Sequence, residues 1–85
     1  MNTEIAPIHT MKKGQRYVQH GGEFELIEDV HPSIGHVNNW DGIGPSDVLA
    51  AKCVCVAGEI QGYFKPGSDW TLQGRIGVAF VNRIK

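Results

Sequence analysis

Cys53 and Cys55, one residue apart, and His31 and His36 upstream are the side chains of this 85-residue chain whose types and spacing bring metal or thiol chemistry to mind. Two neutral imidazoles and two thiolates would suit tetrahedral zinc, although a zinc knuckle usually spaces its cysteines by two residues rather than one. Either thiol beside His20, His31 or His36 would also supply a nucleophile and a base. A reactive thiol needs an electropositive, partly exposed setting, and a core strand would present two plain buried thiols on one face just as a zinc site would. Residues 52–57, KCVCVA, are instead a run of Cys and Val with almost no polar relief. A bridge between Cys53 and Cys55 would close a very small, strained ring. The expectation is therefore a pair of reduced, partly buried thiols, with no metal, no cofactor and no enzymatic activity. The eleven glycines fall in neither a Gly-x-Gly-x-x-Gly nor a P-loop order and read as turn and bulge residues.

The elements that would carry these residues are short strands. In 52–57 the two cysteines share one face and Val54 and Val56 the other, the pattern of an inner strand. Residues 59–64 are long enough to return antiparallel. Lys65-Pro66-Gly67-Ser68 places Pro and Gly at the two central positions of a type II turn. Residues 15–30 read as a hairpin about Gly21-Gly22, with Tyr17 facing Leu26, Gln19 facing Phe24, and a bulge near Leu26-Ile27 where alternation slips. Residues 31–47 are dense in Pro, Gly and Asn and read as a long functional or mobile loop. Ser46 would cap a short helical turn over 47–51, but the propensities that follow favour entry into a strand. The last run, 75–85, alternates as one edge strand with Ile76, Val78, Phe80 and Ile84 on its apolar face. Residues 1–14 lack clean periodicity and are expected to form a flexible arm on a single domain over 15–85. The fold expected is mainly β: a small antiparallel, SH3-like barrel or a strongly bent sheet of about five strands, with at most one short helical turn.

Charge bears on partners. The chain carries −1 overall, yet residues 1–20 carry +2, residues 21–50 carry −6 with no Lys or Arg, and residues 51–85 carry +3. The acidic middle would repel a phosphate backbone and favour a basic protein surface, unless its carboxylates merely solvate strands. Trp40, in the long loop beside Asp41, reads as an interface anchor or as a lid on the core. Glu23, Glu25, Glu28, Asp29, Trp40 and Asp41 are thus the candidate partner-binding residues, and edge strands could instead pair two copies of the chain. A nucleic-acid-binding barrel is the alternative, with Tyr17, Tyr63, Phe64 and Trp70 stacking on bases beside Lys65, Arg75, Arg83 and Lys85. No window approaches the ~20 apolar residues of a membrane span, and residues 1–13 lack a signal-peptide run, so a cytoplasmic protein is expected.

The YVQHGGEFELIEDV stretch followed by GYFKPGSDWTLQG resembles small, uncharacterised β-rich proteins of phages and plasmids. The resemblance implies a mobile-element origin, a setting in which small accessory proteins act by binding, including the inhibition of host defence complexes. It assigns no role to any individual residue.

Overall fold

The computed structural model describes residues 2–32, 48–58 and 65–85. The chain forms a strongly curled antiparallel sheet, a half-barrel, built around its longest strand. That strand, β5 (Val48–Gly58), is buried on both faces over its first four residues and alternates from Lys52 onward, with Cys53 and Cys55 inward. Such burial follows from its place inside the sheet. One side pairs with β3 (Gly22–Leu26) and, further along, with the two-residue β4 (His31–Pro32); the other pairs with β6 (Asp69–Arg75). The inner-strand reading of the cysteine run holds, and its entry from Val48 is strand, not a helical turn; Asp47 lies outside the described residues, as does the return strand expected over 59–64. Among the described residues the sheet has seven strands, against the five or so expected, in the order β1-β7-β2-β3-β5-β4, with β6 also on β5.

The hairpin of β2 (Arg16–Gln19) and β3 turns one residue earlier than expected. Tyr17 faces Phe24 and Gln19 faces Gly22, which leaves His20-Gly21 as the turn, at φ of 52° and 82°. A type I′ turn needs two positive φ values, and histidine tolerates the left-handed region better than most residues. The registry differs from the expected one by two residues, so the facing parity is kept. Tyr17, Phe24 and Leu26 therefore still point into the core. The bulge lies not at Leu26-Ile27 but opposite the start of β3, where the pairing passes over Val56 between Glu23↔Ala57 and Phe24↔Cys55. Alternation fails at Ile27 because β3 has ended.

The turn before β6 is the expected one. Ser68 N–H donates to Lys65 O at 3.0 Å, and Gly67 has φ 95°. Cys55 clamps it, its N–H donating to Ser68 O and its carbonyl accepting from Gly67.

Residues 75–85 differ from the single edge strand expected. β6 runs on to Arg75, whose carbonyl accepts from both Val78 and Ala79, and β7 (Phe80–Ile84) begins only after that turn. The turn interrupts the alternation, so Val81 is buried while Ile76, Val78 and Phe80 are exposed. β7 is also an inner strand, between β1 (Thr3–Pro7) and β2.

β1 corrects the expected arm over 1–14. It pairs with β7 along its full length and leads into a 3₁₀ turn, Ile8–Thr10. Ala6, Ile8 and Met11 are buried. The turn explains the missing periodicity, because it rotates Ile8 and Met11 inward where a strand would alternate. Burying these three side chains removes enough apolar surface from water to order the segment.

Packing at the β6–β7 corner is tight. A Cβ on Gly74 would lie 2.5 Å from Ala79 Cβ and 3.1 Å from Ile8 Cδ1. Gly74→Ala is expected to lose about 1–3 kcal/mol in urea unfolding through overpacking. Adding Ala79→Gly should restore part of that loss despite the extra glycine's entropy, a coupling that independent sites would not show.

Candidate functional site

The described acidic candidates, Glu23, Glu25, Glu28 and Asp29, lie along β3 and just beyond it and have partners within the chain. Arg16, directly opposite Glu25 on the hairpin, donates from Nε to Glu25 Oε1 at 2.8 Å and reaches Glu23 Oε2 at 3.3 Å. The hydrogen bond to Glu25, more than any other contact, holds the guanidinium pKa above its ordinary value. Glu28 follows β3 and folds back over β5. Its Oε2 accepts from Lys52 N–H and contacts His31 Nε2, each at 2.9 Å. The Lys52 N–H, and then His31, lower its carboxyl pKa, while Glu28 raises that of the imidazole. Asp29 Oδ1 accepts from Lys13 N–H at 2.8 Å. Much of the local negative charge is thus spent on joining β2, β3, β4 and β5. Trp40 and Asp41 lie outside the described residues, as do His36, Tyr63 and Phe64.

Among the described residues, His31 and the thiols have separate surroundings. His31 sits on Glu28, whereas Cys53 lies in the core beneath Tyr17, whose hydroxyl donates to Cys53 Sγ at 3.9 Å. Cys53 and Cys55 point their own S–H groups at the carbonyls of Ala51 and Ala57, both at 3.5 Å. Burial pushes the Cys53 thiol up, the opposite of what an activated nucleophile needs.

Of the aromatic residues expected to stack on bases, the two that are described, Tyr17 and Trp70, pack on Phe24 in the interior. Phe24 stacks on Tyr17, centroids 5.5 Å apart, and on Trp70 at 5.4 Å. Arg83, one of the expected basic residues, is bound by Glu4 at 2.6 Å. Burial, followed by the neighbouring Cys53, drives the Tyr17 pKa far above its usual value near 10, against a weaker opposing hydrogen bond with Trp70. The folded state therefore keeps a proton that the unfolded chain releases. Stability from this group is complete below pH 10 and is expected to fall by about 1.4 kcal/mol per pH unit above it. Tyr17→Phe should flatten that alkaline decline in urea titrations. An unchanged slope would place the phenol in water.

A feature the sequence reading missed lies where, among the described residues, the sheet does not close. Gln19 at the end of β2 faces Asp69, Trp70, Thr71 and Gln73 of β6 across a groove of about 520 Å³. It adjoins a cavity of about 220 Å³ that shares Gln19 and Gln73 and is walled by Tyr17, Leu72 and Val81. Trp70 thus has a double role, stacked on Phe24 and lining the groove. Its alternation with Thr71 and Gln73 was visible in the sequence, but the approach of Gln19, 51 residues away, was not. No helix among the described residues is long and apolar enough to cross a membrane. Comparison with protein-family models, curated proteins and solved structures finds no match for this chain.

Proposed function

We propose that the protein is a non-enzymatic binding module that engages another protein through the open side of its half-barrel. The groove between β2 and β6 is the observation that carries this reading. Its described lining offers one aromatic surface and three uncharged polar side chains, with Asp69 as its formal charge. Amide and hydroxyl groups around an aromatic ring suit the mixed polar and apolar surface of a polypeptide, and Asp69 offers a pairing site for a basic residue. A phosphate backbone would meet no cation in that lining. In the mobile-element setting that the sequence resemblance implies, such a module acts by occupying a host complex, and we assign it the inhibition of a host defence assembly.

The test is affinity capture of the tagged protein from nuclease-treated host lysate, with two altered baits alongside. Gln19→Arg with Gln73→Arg fills the groove at two surface positions, and reversal of Glu23, Glu25 and Glu28 alters the acidic strand. The expected result is a defined protein recovered by the wild type, lost by the groove bait and retained in large part by the reversed one. Loss of the captured material on nuclease treatment would transfer the protein to the nucleic-acid-binding class. Equal recovery by the groove bait would remove the groove from the interface.

A further inference from the structure

Between β3 and β4 the chain carries two residues more than its partner strand can match. Five positions separate Leu26 from His31, whereas three separate Cys53 from Ala50 opposite them. The ladder is interrupted there, and Glu28 repairs it with a side chain. Lys52 turns its carbonyl to Ile27 N–H at 2.9 Å and its N–H to Glu28 Oε2, also at 2.9 Å, so a carboxylate oxygen stands where a backbone carbonyl would. The same oxygen lies 2.9 Å from Nε2 of His31, the first residue of β4.

Burial does little to fasten β4. Both of its residues are exposed, and Val30 just before them packs on the core only partly buried. Antiparallel alternation from Lys52 turns the N–H and C=O of Ala50 toward His31 and those of Leu49 away from Pro32. One backbone pair and the Glu28 bridge thus hold β4 on β5. The surroundings of the imidazole then select its protonation. Nε2 faces the Glu28 carboxylate, and Nδ1 lies 3.1 Å from Pro32 O, an atom that can only accept. A neutral ring has one N–H and would set its other lone pair against an oxygen, whereas an imidazolium donates from both nitrogens. Among the described residues, Glu28 and Lys52 are the charged groups acting on this ring, the carboxylate favouring its proton and the ammonium opposing it, while Leu49 and Ala50 opposite β4 are apolar.

We propose that Glu28 and His31 form a proton-operated latch on β4, closed while His31 is an imidazolium and opened by its deprotonation, which bares the edge of β5 at Ala50. Closed, one carboxylate bridges the imidazolium and the Lys52 N–H. Loss of the ring proton removes the ion pair and turns a nitrogen lone pair toward an acceptor, so the closed form loses its advantage over the open one. The sign follows from both groups. His31 titrates above its ordinary value of 6.5, so its contribution is complete below 6.5 and is lost as pH rises through the raised value. Glu28 titrates below its ordinary value of 4.5, so its contribution is complete above 4.5 and disappears only as acid protonates the carboxyl. The latch is therefore closed in mildly acidic solution and opens on the alkaline side. Both side chains reach solvent, which screens the pair and keeps the opening local. The inference stands apart from the groove, which lies on β2 and β6.

Nuclear magnetic resonance of the full chain tests the latch at individual atoms. The His31 ring is expected to titrate above 6.5 and to return toward that value in Glu28→Gln, whose amide oxygen can still accept from Lys52 N–H but carries no charge. Protection factors from hydrogen exchange, which correct for the pH dependence of exchange itself, should fall roughly threefold or more at Ala50 between about pH 5.5 and about pH 8.5. The Cys55 N–H, bonded to Ser68 O at 2.9 Å, is the reference and should hold its protection. His31→Gln, neutral at every pH, should keep Ala50 at the low alkaline value throughout, and Glu28→Gln should flatten most of the change. A His31 ring that titrates at or below 6.5 in the folded wild type would overturn the proposal, as would protection at Ala50 that ignores pH or falls only in step with Cys55. Wild-type pH dependence in folded His31→Gln would overturn it too, by assigning the proton to another group.

Discussion

Phe24→Ala is expected to remove about 3–5 kcal/mol of folding stability, the cost of truncating a fully buried aromatic side chain. Small domains have only ~5–15 kcal/mol in total, so the variant should be largely unfolded at modest urea concentration. The position explains the size of the loss. Phe24 is 0% exposed and lies between the rings of Tyr17 and Trp70, so its removal opens a cavity and leaves both neighbours without their stacking partner. These three rings come from β2, β3 and β6 and join the hairpin to the opposite wall of the half-barrel. Phe24→Leu keeps much of the buried area and should fall between wild type and Phe24→Ala. A midpoint within ~0.5 kcal/mol of wild type for the alanine variant, the range of ordinary surface changes, would show that the core lies elsewhere.

Gly58→Ala should be comparably damaging for a different reason. Gly58 ends β5 at φ 96°, and a Cβ there would lie 2.6 Å from Gly21 O and 2.8 Å from Gly22 Cα. The obstacle is backbone, so it cannot rotate away, and it belongs to the tight turn that sets the β2–β3 registry. Left-handed strain alone costs about 1–2 kcal/mol. Displacing the hairpin should raise the loss to about 3 kcal/mol or more. Gly77→Ala provides the comparison, since Gly77 has φ 83° with nothing within 4 Å of the added Cβ. It should show the strain without the collision. Equal losses at the two positions, measured by urea unfolding, would mean that Gly58 does not approach the hairpin as described.

The parts of the fold that were legible in the sequence were those specified by neighbouring residues. Alternation placed Cys53 and Cys55 on one buried face, and Pro66-Gly67 specified its turn through the φ preferences of two residues. The hairpin was legible in kind but not in registry. His20-Gly21-Gly22 contains more than one pair able to take positive φ, and the choice fell to His20-Gly21 in the structure in which Gly22 pairs with Gln19 and Gly58 passes over the turn. Parity protected the core assignment from that slip. No such protection existed at 75–85, where the turn at Ile76–Val78 shifted the buried face to Val81, nor over 1–14, where a 3₁₀ turn hid a strand.

The candidate site shows the same division. The acidic character of 21–50 is a property of composition, and it was plain from the sequence. Whether those charges remain available is a property of distance: His31 reaches Glu28 from three residues along the chain, but Arg16 and the N–H groups of Lys13 and Lys52 reach their partners only through the pairing of strands. What the sequence by itself determined was a glycine-punctuated β chain, its inner cysteine strand, its sharpest turn and the residue types on most faces, because these follow from φ preferences and a two-residue period. Only the tertiary structure decided that Arg16 would offset Glu23 and Glu25, and that Trp70 would join Phe24 while lining a groove with Gln19. Each of those outcomes depends on which strands become neighbours, a choice made by the whole core at once and written in no single stretch of the chain.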